Sequence, residues 1–190
     1  MSRLLSVLTV AVLAVSGVAA RSSATDLARG TLELEPNAQF LSQSFSLSGF
    51  SGSTTVTTLS MLATLGWFMN DQFELVGSPV VTYQSFESVN GTSVGLLAGA
   101  RFNFKSQGKV IPFVGAAVGL EKFSGDLYGT DVAFTAPRLE AGMRLMMGGV
   151  ASVNFAGIYQ HETTAQGIKD LSSNDFALSV GVSVFPGHGK

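Results

Sequence analysis

From residue 30 to residue 185 bulky apolar residues recur at every second position, and the charges fall almost without exception between them. Period two marks an extended strand whose two faces meet unlike surroundings. The pattern breaks into about eight runs, at 30–40, 55–68, 73–85, 92–104, 110–123, 133–147, 151–161 and 175–185. In the fourth, Val94, Leu96, Ala98, Ala100, Phe102 and Phe104 share one parity, and Arg101 and Asn103 take the other. Across all runs the less apolar parity collects Glu33, Glu35, Glu74, Arg101, Asn103, Glu121, Arg138, Glu140, Arg144 and Asn154. Lys122, near one end of its run, is the exception.

Two barrels could carry such faces. A soluble, lipocalin-like barrel turns its apolar residues inward and its charges to water. A membrane barrel does the reverse, with an apolar outer band and a polar lumen. Composition favours lipid: 46% of the 190 residues are apolar, only 13% are charged, and mean hydropathy is +0.36. A spanning helix needs about 20 consecutive apolar residues. After the first 20 positions no such stretch exists; the nearest, 58–69, carries Ser60, Thr64 and Gly66. The remaining way to cross is a closed barrel, which satisfies every backbone polar group between strands.

The N-terminus points the same way. Arg3, an apolar run at 4–18 and the small residues Val18-Ala19-Ala20 make the three regions of a secretory signal peptide. The expected organisation is a signal peptide at 1–20, a periplasmic segment at 21–29, the barrel at 30–185 and a tail at 186–190. The expected fold is all-β: a closed, antiparallel, up-and-down transmembrane barrel of about eight strands in the cell outer membrane, both termini periplasmic.

The connections alternate in the manner of such barrels. Short turns are expected at 69–72, 106–108 and 148–149, all rich in Asn, Asp, Ser or Gly. Long polar loops are expected at 41–54 and 162–174, an intermediate one at 124–132, and a hairpin at 87–91 turning on Asn90-Gly91. Trp67, Phe68, Phe73, Phe102 and Phe104 are placed to form one aromatic girdle; Phe40, Tyr83, Phe123, Tyr159 and Phe176 form the other. Pro79, inside the third run, lacks a ladder donor and is expected to mark a bulge.

Four stretches, "GWFMNDQFEL", "KVIPFVGAAVGLE", "PRLEAGMRL" and "FALSVGVSVF", resemble the small porin-like outer-membrane barrels of the OmpA/OmpX/OmpW type. The resemblance implies a terminal aromatic read by the assembly machinery. Here Phe185 is followed by Pro186-Gly187-His188-Gly189-Lys190, which displaces that signal. Expected partners are outer-membrane lipid and lipopolysaccharide, with periplasmic chaperones and the barrel-assembly machinery during insertion.

An eight-stranded barrel is just wide enough inside to be filled by side chains. Glu33, Glu35, Glu74, Arg101, Glu121, Arg138, Glu140 and Arg144 are therefore expected to form a polar lumen network. The six of these nearest the short turns (Glu33, Glu35, Glu74, Arg101, Glu140 and Arg144) would act as a plug, or alternatively line a narrow channel. A structural or surface-interaction role, without catalysis, is the expected function. His161 with Thr163 two positions on evokes barrels that deacylate lipid A, but the hydroxyl is Thr and the Asn-Ala-Gly context is missing. No cysteine, two histidines, no phosphate loop and a net charge of −2 leave no expectation of a cofactor, a metal or nucleic acid.

Overall fold

The computed structural model describes residues 27–47, 53–86, 89–125, 131–164 and 171–186. The expected signal peptide lies outside these residues, as does most of the tail. Eight strands follow in order: β1 (Leu32–Leu47), β2 (Ser53–Phe68), β3 (Phe73–Phe86), β4 (Val89–Asn103), β5 (Val110–Gly125), β6 (Asp131–Met147), β7 (Ala151–Thr164) and β8 (Leu171–Val184). Each pairs antiparallel with the next, and β8 returns to β1, with Phe40 opposite Leu178. Closure leaves no edge strand with unpaired backbone groups, which hydrocarbon would not tolerate.

The barrel is inside out. Leu96 and Leu178 are 60% and 68% exposed, whereas Glu74 and Arg144 are fully buried. On β5 the outward apolar residues run from Val110 to Leu120 and stop at the exposed Lys122. That is about 33 Å along the strand, or roughly 23 Å across a membrane at the usual ~45° tilt, close to the ~25 Å band of such barrels. Trp67, Phe73, Phe102 and Phe104 face out at the short-turn rim, and Phe40 and Phe176 face out higher up. Two aromatics assigned to the girdles belong elsewhere: Phe68 is fully buried inside, and Phe123 lies on the lumen parity of β5.

The short turns owe their shape to local side chains. Asn70 Oδ1 accepts hydrogen bonds from the backbone N–H of Gln72 and Phe73, at 2.9 and 2.8 Å. Ser106 Oγ accepts one from Gly108 N at 3.2 Å. Gly148, at φ +68°, takes the left-handed conformation that side-chain-bearing residues avoid. Across two of these turns Lys105 Nζ donates to Asp71 at 2.8 Å, which holds that carboxyl below its ordinary range.

Three expectations are corrected. The segments 41–54 and 162–174 are mostly strand: β1 and β2 stay paired out to Ser46 and Ser53, β7 and β8 out to Thr163 and Ser172. Ser and Thr pair as well as Val once the backbone ladder continues, but outside lipid nothing enforces alternation, so the period fades. Asn90-Gly91 is not the hairpin turn; Asn90 pairs with Ser85 and Gly91 with Gln84 inside the ladder. Nor does Pro79 mark a bulge. It pairs in register with Leu96, while the break falls at Ala136-Pro137 on β6. Two residues there face one on each neighbour, and the lumen parity of β6 switches from Thr135 to Arg138.

Candidate functional site

Inward side chains stack in tiers along the barrel axis. At the short-turn end lies an apolar floor of Leu27, Phe68, Ile111, Met146 and Phe185, all nearly or fully buried. Leu27 comes from the segment before β1, which turns at Gly30 and is tied by Gly30 N donating to the Phe68 carbonyl at 2.7 Å. Phe68 and Phe185 meet edge to face, with centroids 6.3 Å apart.

Above the floor Arg144, with no exposed surface, donates to Glu33 at 2.6 Å and to Glu74 at 2.7 Å. Ser183 Oγ donates to the same Glu33 oxygen and in turn accepts from Asn154 Nδ2 at 2.5 Å. Higher still, Arg101 donates to Glu140 at 2.5 Å and Glu35 at 2.6 Å, with Glu33 3.9 Å away. Phe113 keeps the two guanidiniums apart; its ring centroid is 5.2 Å from Arg101 Cζ and 5.4 Å from Arg144 Cζ. These charge-assisted bonds fork from planar guanidiniums, so each cation serves at least two carboxylates.

Next comes a small polar cavity of about 30 Å³, lined by Asn37, Gln39, Thr64, Ser78 and Ser179 among others. It has room for about two waters. Beyond it a second polar tier contains Arg138, which donates to Gln160 at 2.5 Å. Gln160 Nε2 donates on to Glu162 at 2.7 Å and to Asp175 at 3.2 Å, and Ser93 donates to Glu121.

The sequence-derived set thus divides. Glu33, Glu35, Glu74, Arg101, Glu140 and Arg144 come together in one linked network, whereas Glu121 and Arg138 sit in the outer tier. Sequence reasoning left Gln160, Glu162 and Asp175 out of the network, although Gln160 and Asp175 lie on the polar parity of their own runs and Glu162 continues that of β7 one step beyond. It also missed the ring packing of Phe68, Phe113 and Phe185. Phe185, the aromatic that closes the last run, is part of the floor and 1% exposed. His161 lies on the outer wall, and its Nδ1 is 3.0 Å from Asn174 Oδ1; Thr163 is the next outward residue on β7. Among the described residues no group of His, Asp and Glu is arranged to hold a metal.

An inverted barrel of eight antiparallel strands with a filled polar lumen is a small transmembrane barrel of the OmpA/OmpX/OmpW type in fold. Neither protein-family profiles nor curated proteins match the chain. Among solved structures it is similar to Neisserial surface protein A, with a TM-score of 0.60, 20% identity, and 80% of this chain aligned to 96% of that one. The outer-membrane protein AlkL aligns at TM-score 0.56 and 15% identity, over 87% of this chain and 93% of its own. OprG of Pseudomonas aeruginosa gives 0.53 and 10%, over 85% and 99%. At these identities the likeness is one of fold.

Proposed function

We propose that this protein is a non-conducting barrel of the bacterial outer membrane, with periplasmic termini, which anchors its outer loops as an interaction surface. One observation carries the reading: Arg144 bridges Glu33 and Glu74 across the barrel, fully buried, directly above an apolar floor. A hydrated ion would have to break charge-assisted bonds and enter a dry layer, and the cavity beyond holds only about two waters. The solved structures of similar fold are outer-membrane proteins, and one is by name a surface protein, which supports the location and the surface role. Lipid and lipopolysaccharide surround the band, and export chaperones and the barrel-assembly machinery deliver it. No catalytic step is assigned.

Planar-bilayer recording tests the reading. The purified protein should add no reproducible conductance steps. Discrete, repeatable openings would make it a narrow channel instead. Lipid A from cells with and without the protein should show the same acyl chains by mass spectrometry; a lost chain would replace this reading with an enzymatic one.

A further inference from the structure

The outer wall is not uniformly covered. One row of outward residues runs Ala141, Gly157, Leu178, Phe40 across β6, β7, β8 and β1. Gly157 has open space where a side chain would stand, so the wall is dented between larger neighbours. The result is a shallow, open apolar groove walled by Leu139, Tyr159, Phe176, Leu178 and Phe40. The next row outward pairs Tyr159 with Phe176, rings tilted 5.2 Å apart, and the row above pairs His161 with Asn174. There the Tyr159 hydroxyl donates to Asn174 Oδ1 at 2.9 Å, and His161 Nδ1 lies 3.0 Å from the same oxygen. His161 Nε2 and the Asn174 amide nitrogen make no hydrogen bond to a described residue.

We infer that this groove is a binding site for one glycerophospholipid, an acyl chain lying over Gly157 and an ester carbonyl accepting from the Asn174 amide nitrogen, whose oxygen is held by Tyr159 and His161. The site faces lipid, so an acyl chain is the occupant its apolar walls require, and the polar rim one row above the rings fits the linkage where chain meets head group. The rim also selects among lipids. A glycolipid bearing several phosphates needs Arg or Lys beside it. Among the described residues the nearest outward cation, Lys122, stands two strands away on β5 and four residues beyond Val118, the residue level with His161, which puts it about 16 Å off. A neutral hydrogen-bonding rim suits an ester whose single phosphate stays in water. The inference is independent of whether the lumen conducts.

The test uses the full protein in nanodiscs of phosphatidylethanolamine and phosphatidylglycerol, doped with a phosphatidylethanolamine carrying a diazirine on one acyl chain. After irradiation, cross-linked peptides are mapped by mass spectrometry. Label should concentrate on β7 and β8. Gly157→Leu should reduce it there roughly tenfold, the effect of displacing about two buried methylenes, whereas Ala98→Leu on β4 should leave it unchanged. Folding of each variant is checked by the heat-dependent gel shift. Asn174→Ala, which leaves the groove intact, should also weaken labelling and serves if Gly157→Leu does not fold. Even labelling around the barrel would overturn the inference, as would loss of label to an equimolar amount of lipopolysaccharide. A dimer in mass photometry that Gly157→Leu abolishes would assign the groove to a second copy instead.

Discussion

Removing Arg144 should be the most damaging single change in the lumen. Arg144→Met keeps the length of the stem but strips Glu74 of its ion pair and leaves Glu33 only Arg101, 3.9 Å away, where the carboxylates have no exposed surface. Breaking a buried ion pair by deleting one partner costs about 3–5 kcal/mol, and two bonds are lost here at once. With a denaturant slope of about 2 kcal/mol/M, the urea midpoint should fall by roughly 2 M. Trp67, the only tryptophan, faces outward at the short-turn rim, so its fluorescence in lipid vesicles reports unfolding directly. The decisive comparison is the triple variant Glu33→Gln, Glu74→Gln, Arg144→Met. With the stranded charges gone, it should regain most of the lost stability, since a buried pair replaced as a unit is often neutral. A single-variant loss below about 1 kcal/mol, or a triple variant no better than Arg144→Met, would refute the claim that these charges hold each other in place.

Further tests address other layers. Phe185→Ala should cost about 3–5 kcal/mol in the same urea titration, as other buried aromatic truncations do, yet add no conductance, because the Arg144 tier above the floor remains. Val180→Cys should react with a lipid-soluble maleimide and Ser179→Cys should be shielded from it; the opposite result would reverse the barrel's faces. Gly99→Val should destabilise by about 1–3 kcal/mol, because a Cβ there would overlap the Ala116 carbonyl oxygen and the Ala117 side chain across the β4–β5 pair. Asp71→Asn should leave the urea midpoint unchanged, since its partner Lys105 is itself largely exposed.

What could be read in advance follows from how strictly each position is policed by solvent. Within the lipid band a wrong-faced charge is expensive, so Glu33, Glu74, Arg101 and Arg144 all show their inward direction through parity alone. Beyond the band both faces meet water, and the Ser/Thr-rich ends of β1, β2, β7 and β8 read as loops although their backbones are paired. The bulge shows the same limit. Pro79 and Pro137 look alike in sequence, but only the geometry around the closed ladder decides that Pro137 needs an extra residue and Pro79 does not.

The chain by itself therefore determined the number of strands, their order, and which residues share a face, because alternation is a local property of an extended backbone between two solvents. Only the tertiary structure decided who meets whom across the lumen. Arg144 finds Glu33 111 residues away, Phe68 meets Phe185 from strands far apart in the chain, and Gly157 opens a dent in a wall made by four strands. Those meetings depend on the register at which the sheet closes on itself, and no single strand carries that information.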